Sequence, residues 1–174
     1  MVELRGNLNT RWKKFEEGVF DGMILAAAGV KRLGWWDRVT AAMDEEILLP
    51  AVGQGTLGLE IRQGDVAGEM LAPFNDLSSQ RRAETERALL EGVAGGCVVP
   101  LAGFCIEEGD RLYLRARLGR PDGSVMLTAE GHAPLGESRA LGLRIADELL
   151  AQGGAEIVTA AKESGYGPNQ APSK

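Results

Sequence analysis

The sequence predicts an α/β layer followed by a small α+β domain, a three-stranded antiparallel sheet with helices on one face. Three observations carry this. Residues 19–34 alternate strand, turn and helix, the pattern of a parallel layer. Three later runs, Leu101–Ile106, Arg111–Leu118 and Val125–Gly131, are separated by Gly109-Asp110 and Pro121-Asp122-Gly123, both hairpin turn chemistry. Two segments, Arg81–Val93 and Gly136–Gln152, are amphipathic at helical spacing.

In chain order, Leu4–Asn7 reads as a strand end running into a turn. Asn9 or Thr10 is the expected cap of a short helix, Arg11–Glu17, closed by Gly18, with Trp12 and Phe15 on its buried side. Val19–Ala27 reads as a buried strand because Met23–Ala27 is uninterrupted and apolar, and Val30–Leu33 makes a helical turn before Gly34. In such layers ligands sit beyond the carboxyl ends of the strands. Pro50, Gly53 and Gly55 force an irregular segment. Leu57, Leu59 and Ile61 alternate with other residues, which predicts a strand. Asp65–Leu71 is a weak helix, and Pro73–Ser79 a linker. In Arg81–Val93, Ala83, Ala88, Leu89 and Val93 turn inward, leaving Glu84, Glu86 and Arg87 on the wet side. Leu112, Leu114, Ala116 and Leu118 share one face of a half-buried strand. Leu141, Ile145 and Leu149 form the stripe of the last helix, and residues 165–174 are polar and Pro-rich.

Composition narrows the function. The 174 residues are 44% hydrophobic and 25% charged, enough to bury a core and contrary to disorder throughout. No apolar run reaches the roughly 18 residues of a membrane span. The N-terminus has no charged-then-apolar signal pattern, so a cytoplasmic location is expected. One His makes a His-based metal site or a Ser-His relay improbable, and the eight-residue spacing of the two Cys suits neither zinc nor a redox pair, so no metal is expected. Residues 1–38 carry seven Lys/Arg against five acids, and the remainder 12 against 20. An acidic chain with one basic segment does not suit nucleic acid, but it suits a small anionic ligand gripped by a few Arg.

Four segments, in order, sharpen this: Arg5-Gly6-Asn7-Leu8-Asn9-Thr10-Arg11, Ile24–Gly34, Leu49-Pro50-Ala51-Val52-Gly53-Gln54-Gly55, and Glu91–Pro100 with Gly95-Gly96-Cys97 inside it. Together, and with the Pro121-Asp122-Gly123 hairpin, they resemble hydroxymethylbilane synthase, also called porphobilinogen deaminase, over essentially the whole chain. The resemblance implies a transferase of tetrapyrrole and heme biosynthesis. The family condenses four porphobilinogen units head to tail with loss of ammonia, growing the chain on a dipyrromethane cofactor. It implies that Cys97 anchors this cofactor through a thioether. Arg5, Arg11 and Arg32 would hold its acetate and propionate groups, with Asn7 and Gln54 as polar lining. Gln54 reads equally as support for a domain hinge. The chemistry agrees: each pyrrole ring carries two carboxylates, which planar guanidiniums bind in bidentate fashion. A thiol is a soft nucleophile suited to an electrophilic methylene, and paired glycines leave room for a ring beside the sulfur. Cys105, inside an alternating strand, reads as a small buried apolar residue. Lys13, Lys14, Arg38 and His132 read as surface, and Trp35-Trp36 as packing or contact with a further domain.

The resemblance also sets the expected division. Residues 1–55 correspond to the C-terminal part of the second domain, a partial periplasmic-binding-protein-like layer. Residues 56–73 are a crossover strand and linker that would return to a first domain. Residues 74–174 form the C-terminal α+β domain. No carboxylate here matches the family's catalytic Asp, so the expectation is a fragment, inactive alone, with an unpaired and sticky edge around residues 56–72. Its partners would be porphobilinogen and oligopyrrole intermediates, and a separately encoded N-terminal half, with no nucleic acid and no membrane. The alternative is a non-catalytic remnant, or a binding half that needs that second polypeptide.

Overall fold

A computed structural model of the chain describes residue 4 and residues 6–93 and 99–163. The chain forms two compact units, Met1–Met43 and Asp44–Lys174.

In the first unit, helix α1 spans Leu8–Glu16 and helix α2 spans Ala27–Arg32, followed by a 3-10 turn at Trp36–Arg38. Helix α1 starts earlier than its spacing suggests. Asn7, not Asn9 or Thr10, is the cap, and its side-chain oxygen accepts the Thr10 N–H at 2.9 Å. Trp12 packs against Phe15 and Trp35, each ring pair 5.6 Å apart, which places Trp35 in the small apolar cluster of this unit. The expected strand at Val19–Ala27 does not form, and no strand stands among the described residues of this unit. The run is apolar, but a strand needs a ladder neighbour, and none of the described residues provides one. Ile24 is left 66% exposed.

The second unit is α+β. Short helix α3 spans Ala67–Leu71 and long helix α4 spans Leu77–Gly92, capped by Asp76, whose carboxylate accepts the Ser79 N–H at 2.8 Å. Helix α4 thus starts inside the segment expected to be linker. Strands β1 (Leu101–Glu108), β2 (Arg111–Gly119) and β3 (Met126–Pro134) pair antiparallel in that order, joined by the two expected hairpins. Helix α5 spans Ser138–Leu149 and helix α6 spans Ala155–Glu163. Between them Leu150–Gly154 forms a π-type turn in which Gly153 takes φ 100, a left-handed conformation open to glycine. Helix α6 has no counterpart in the sequence reading, yet it buries Ile157, Val158 and Ala161.

Helices α4 and α5 cover one face of the sheet. Leu112, Leu114 and Leu118 of β2 meet Leu89 and Val93 of α4 and Leu141, Ile145 and Leu149 of α5 in one core. The two helices approach closely at Gly142, where an added Cβ would lie 2.3 Å from the Thr85 carbonyl oxygen. That contact lies at the middle of α4, whose end is packed separately, with Val93 1% exposed. The segment of residues 57–61 has no strand partner among the described residues, and its apolar side chains face solvent, Leu57 being 90% exposed.

Candidate functional site

The predicted anchor lies in the connection between α4 and β1. Its flanks are firmly packed: Val93 ends α4 in the core, and Val99 is buried before β1 begins. Residues 94–98, with Gly95, Gly96 and Cys97, lie outside the described residues, as does Arg5.

The second cysteine is well placed to be compared with it. Cys105 sits mid-β1, 1% exposed, as its alternating strand predicts. Burial, which penalises the thiolate, pushes its pKa up to about 11, and the Glu86 charge adds to the effect. Such a thiol stays protonated and is no nucleophile near neutrality.

In the first unit, Asn7 spends its side-chain oxygen on the α1 cap and on the Thr10 hydroxyl at 2.9 Å. Arg11 donates from Nε to the Gly6 carbonyl at 2.8 Å, which folds the chain end back onto α1. Its two Nη groups have no partner among the described residues. Arg32 ends α2, is exposed, and has no hydrogen-bond or ion-pair partner among the described residues. Two other cations here are engaged with rings, Lys31 lying 4.5 Å from the Trp36 centroid and Arg38 5.0 Å from that of Trp35, while Lys13 pairs with Glu17 at 3.8 Å.

In the second unit, Gln54 stands in the turn after Pro50 and accepts the Ala51 N–H at 3.4 Å. It lines a groove of about 810 Å³ whose walls include Leu57, Phe74, Arg82 and Phe104. Arg82 donates to the Ser79 hydroxyl at 3.1 Å, and Arg87 is exposed. His132 is exposed as predicted; its ring stacks on Tyr113 at 4.4 Å and lies 3.2 Å from the Glu108 carboxylate. No cluster of three or more His, Cys, Asp or Glu side chains able to hold a metal stands among the described residues.

Glu86 corrects the sequence reading. It is not on the wet side of α4 but 7% exposed beneath the groove. Its Oε2 accepts the Gly53 N–H at 2.7 Å and its Oε1 the Cys105 N–H at 2.9 Å. Burial raises its pKa above the ordinary 4.5, opposed by those two bonds and by the Arg82 charge. A signal was available: Glu86 lies three residues before Leu89 and seven before Val93, on the inward stripe of the helix. Glu84 and Arg87, by contrast, are exposed as read.

Two family models match the chain. The model described as "Porphobilinogen deaminase, dipyromethane cofactor binding domain" matches residues 1–69. The model described as "Porphobilinogen deaminase, C-terminal domain" matches residues 80–151. The second match takes in α4 from Gln80 onward, the three strands and α5, together with the connection that carries Cys97.

Proposed function

The chain belongs to the porphobilinogen deaminase family, and on that premise we propose that it acts in hydroxymethylbilane synthesis as the part that carries the covalent anchor. The observation that supports this most is the succession of the two family matches, with Gly95-Gly96-Cys97 falling inside the second.

The family is a transferase, and the first matched domain binds the dipyromethane cofactor. When bound, that group supplies the pyrrole terminus on which porphobilinogen units are joined. In our reading Cys97 holds it by a thioether, a bond that does not hydrolyse under ordinary conditions. Arg5, Arg11 and Arg32 hold its carboxylates, and Asn7 and Gln54 are polar lining. The donor set fits such a group. Among the described residues Arg11 is bonded only through Nε, which leaves its two Nη groups for a bidentate carboxylate, and Arg32 is exposed and has no partner among them. Cys105 does not compete for the anchor role, because it is buried and protonated. The division proposed keeps the bounds of the sequence reading: residues 1–55 supplying Arg5, Arg11 and Arg32, 56–73 crossing over, and 74–174 presenting the anchor.

Turnover also needs a carboxylate that stabilises pyrrole cations, and no acid in this sequence matches the family's Asp. We place it on a polypeptide that completes the cleft, encoded with this one or apart from it. The second reading is a binding half, or a remnant, without activity of its own. It is favoured by the segment of residues 57–61, whose alternating apolar side chains are exposed and whose backbone has no strand partner among the described residues, which suits a strand-adding partner.

Intact-mass measurement after expression with porphobilinogen tests the assignment, with and without a family N-terminal half supplied in trans. An adduct of two pyrrole units, abolished by Cys97→Ser and retained by Cys105→Ser, supports it. No adduct under either condition removes the anchor.

A further inference from the structure

Strand β1 is an edge of the sheet, so half of its backbone N–H groups point away from β2 and need acceptors from elsewhere. The Gly103 N–H finds the Pro50 carbonyl at 3.1 Å, and Ala51 forms a bridge with Ala102. The next outward donor, Cys105 N–H, finds no backbone carbonyl among the described residues. It finds Oε1 of Glu86, reaching out from the middle of α4 at 2.9 Å. The other oxygen of the same carboxylate takes the Gly53 N–H at 2.7 Å. One buried charge therefore ties together a helix, a strand edge and the turn that carries Gln54.

We infer that Glu86 is a positioning residue, whose ionised carboxylate latches the turn of residues 50–55 to the edge of β1 and sets where Gln54 stands at the rim of the groove. The latch needs two acceptors aimed at two donors. A carboxylate supplies them; a protonated acid or an amide keeps one good acceptor and presents a hydrogen toward the other N–H. Few charges oppose or assist the switch. On its own helix, Arg82 faces Glu86 and favours the ionised form; from β1 the neighbour is the protonated Cys105 thiol. The turn of residues 50–55 holds no titratable side chain.

Two pH effects then run in opposite directions. Burial holds the Glu86 pKa above 4.5, so its contribution to global stability is full below 4.5 and is lost as pH rises through the raised value. The latch behaves oppositely: it is closed above that value and loosens as pH falls through it. A merely structural carboxylate would not loosen one turn while the whole fold gains.

The significance for Gln54 rests on the proposed function, but the latch does not, and amide exchange on the full chain separates the two. In the wild type, exchange of the 50–55 amides and of Cys105, corrected for intrinsic rates, is expected to quicken roughly tenfold to a hundredfold as pH falls through the Glu86 titration. Amides of β2 and α5 are expected to keep their protection. In Glu86→Gln the turn exchanges fast at every pH and the transition is absent. An unchanged pH transition in Glu86→Gln, or protection of the turn that does not respond to pH in the wild type, overturns the latch. If Glu86→Gln does not fold, the wild-type titration alone decides. Failure to form a Cys97 adduct would count against the proposed function and leave this result untouched.

Discussion

The two cysteines offer a sharp test of the anchor assignment, because the burial of Cys105 makes it far less reactive than an ordinary thiol. The perturbation is alkylation of the folded chain by iodoacetamide at pH 8. Only the thiolate reacts, and a pKa of about 11 leaves Cys105 ionised to ~0.1%, against ~10% for a thiol at the ordinary 9.0. Ionisation alone therefore slows Cys105 by ~100-fold. Its burial, at 1% exposure in mid-strand, slows it further, since the reagent must wait for β1 to open. Peptide mapping after timed quenching reads both sites in one sample. Cys97 is expected to label at least ~100-fold faster than Cys105, and the difference should vanish in denaturant. In a chain that has formed the pyrrole adduct, Cys97 should no longer label. Alkylation of Cys105 at the rate of a free thiol in the folded chain would refute both its burial and the assignment of chemistry to Cys97 alone.

Other outcomes follow from the packing. Gly142→Ala gains up to ~1 kcal/mol of helix propensity but places a methyl 2.3 Å from the Thr85 carbonyl, where overpacking costs ~1–3 kcal/mol or more; a net loss is expected as a lower urea midpoint with unchanged slope. Gly136→Ala meets nothing within 4 Å and should leave the midpoint near its wild-type value. Replacing exposed Leu57 and Leu59 together by Lys should lower dye binding and light scattering without changing the melting temperature, and an unchanged scattering signal would mean that the association lies elsewhere.

Much of the second unit was legible because its signals are local. Two hairpin turns separate three alternating runs, and the inward set Leu112, Leu114, Ala116 and Leu118 is the set that meets the helices. Cys105 was readable for the same reason, as one inward position of β1. Helix α4 was found but begun too late, since Asp76 caps it five residues before Arg81, ahead of the first apolar position of the stripe, Ala83. Helix α6 was missed because Gly153-Gly154 looked like an end rather than a kink. The Val19–Ala27 run was misread because apolar continuity says that a segment is suited to burial, not that a ladder neighbour exists.

The sequence by itself determined the family, through four short motifs in order, and the α+β half, through turn chemistry and two periodicities. Those are properties of neighbours along the chain. The helical stripe could have turned Glu86 inward, but only the tertiary structure decided its partners. A charged residue on a helix is assigned to water by default, and what reverses that is a pair of backbone donors, 33 and 19 residues away, one in the turn of residues 50–55 and one on the edge strand β1. The need of the second donor is a consequence of which strand ends the sheet, and no local pattern encodes it.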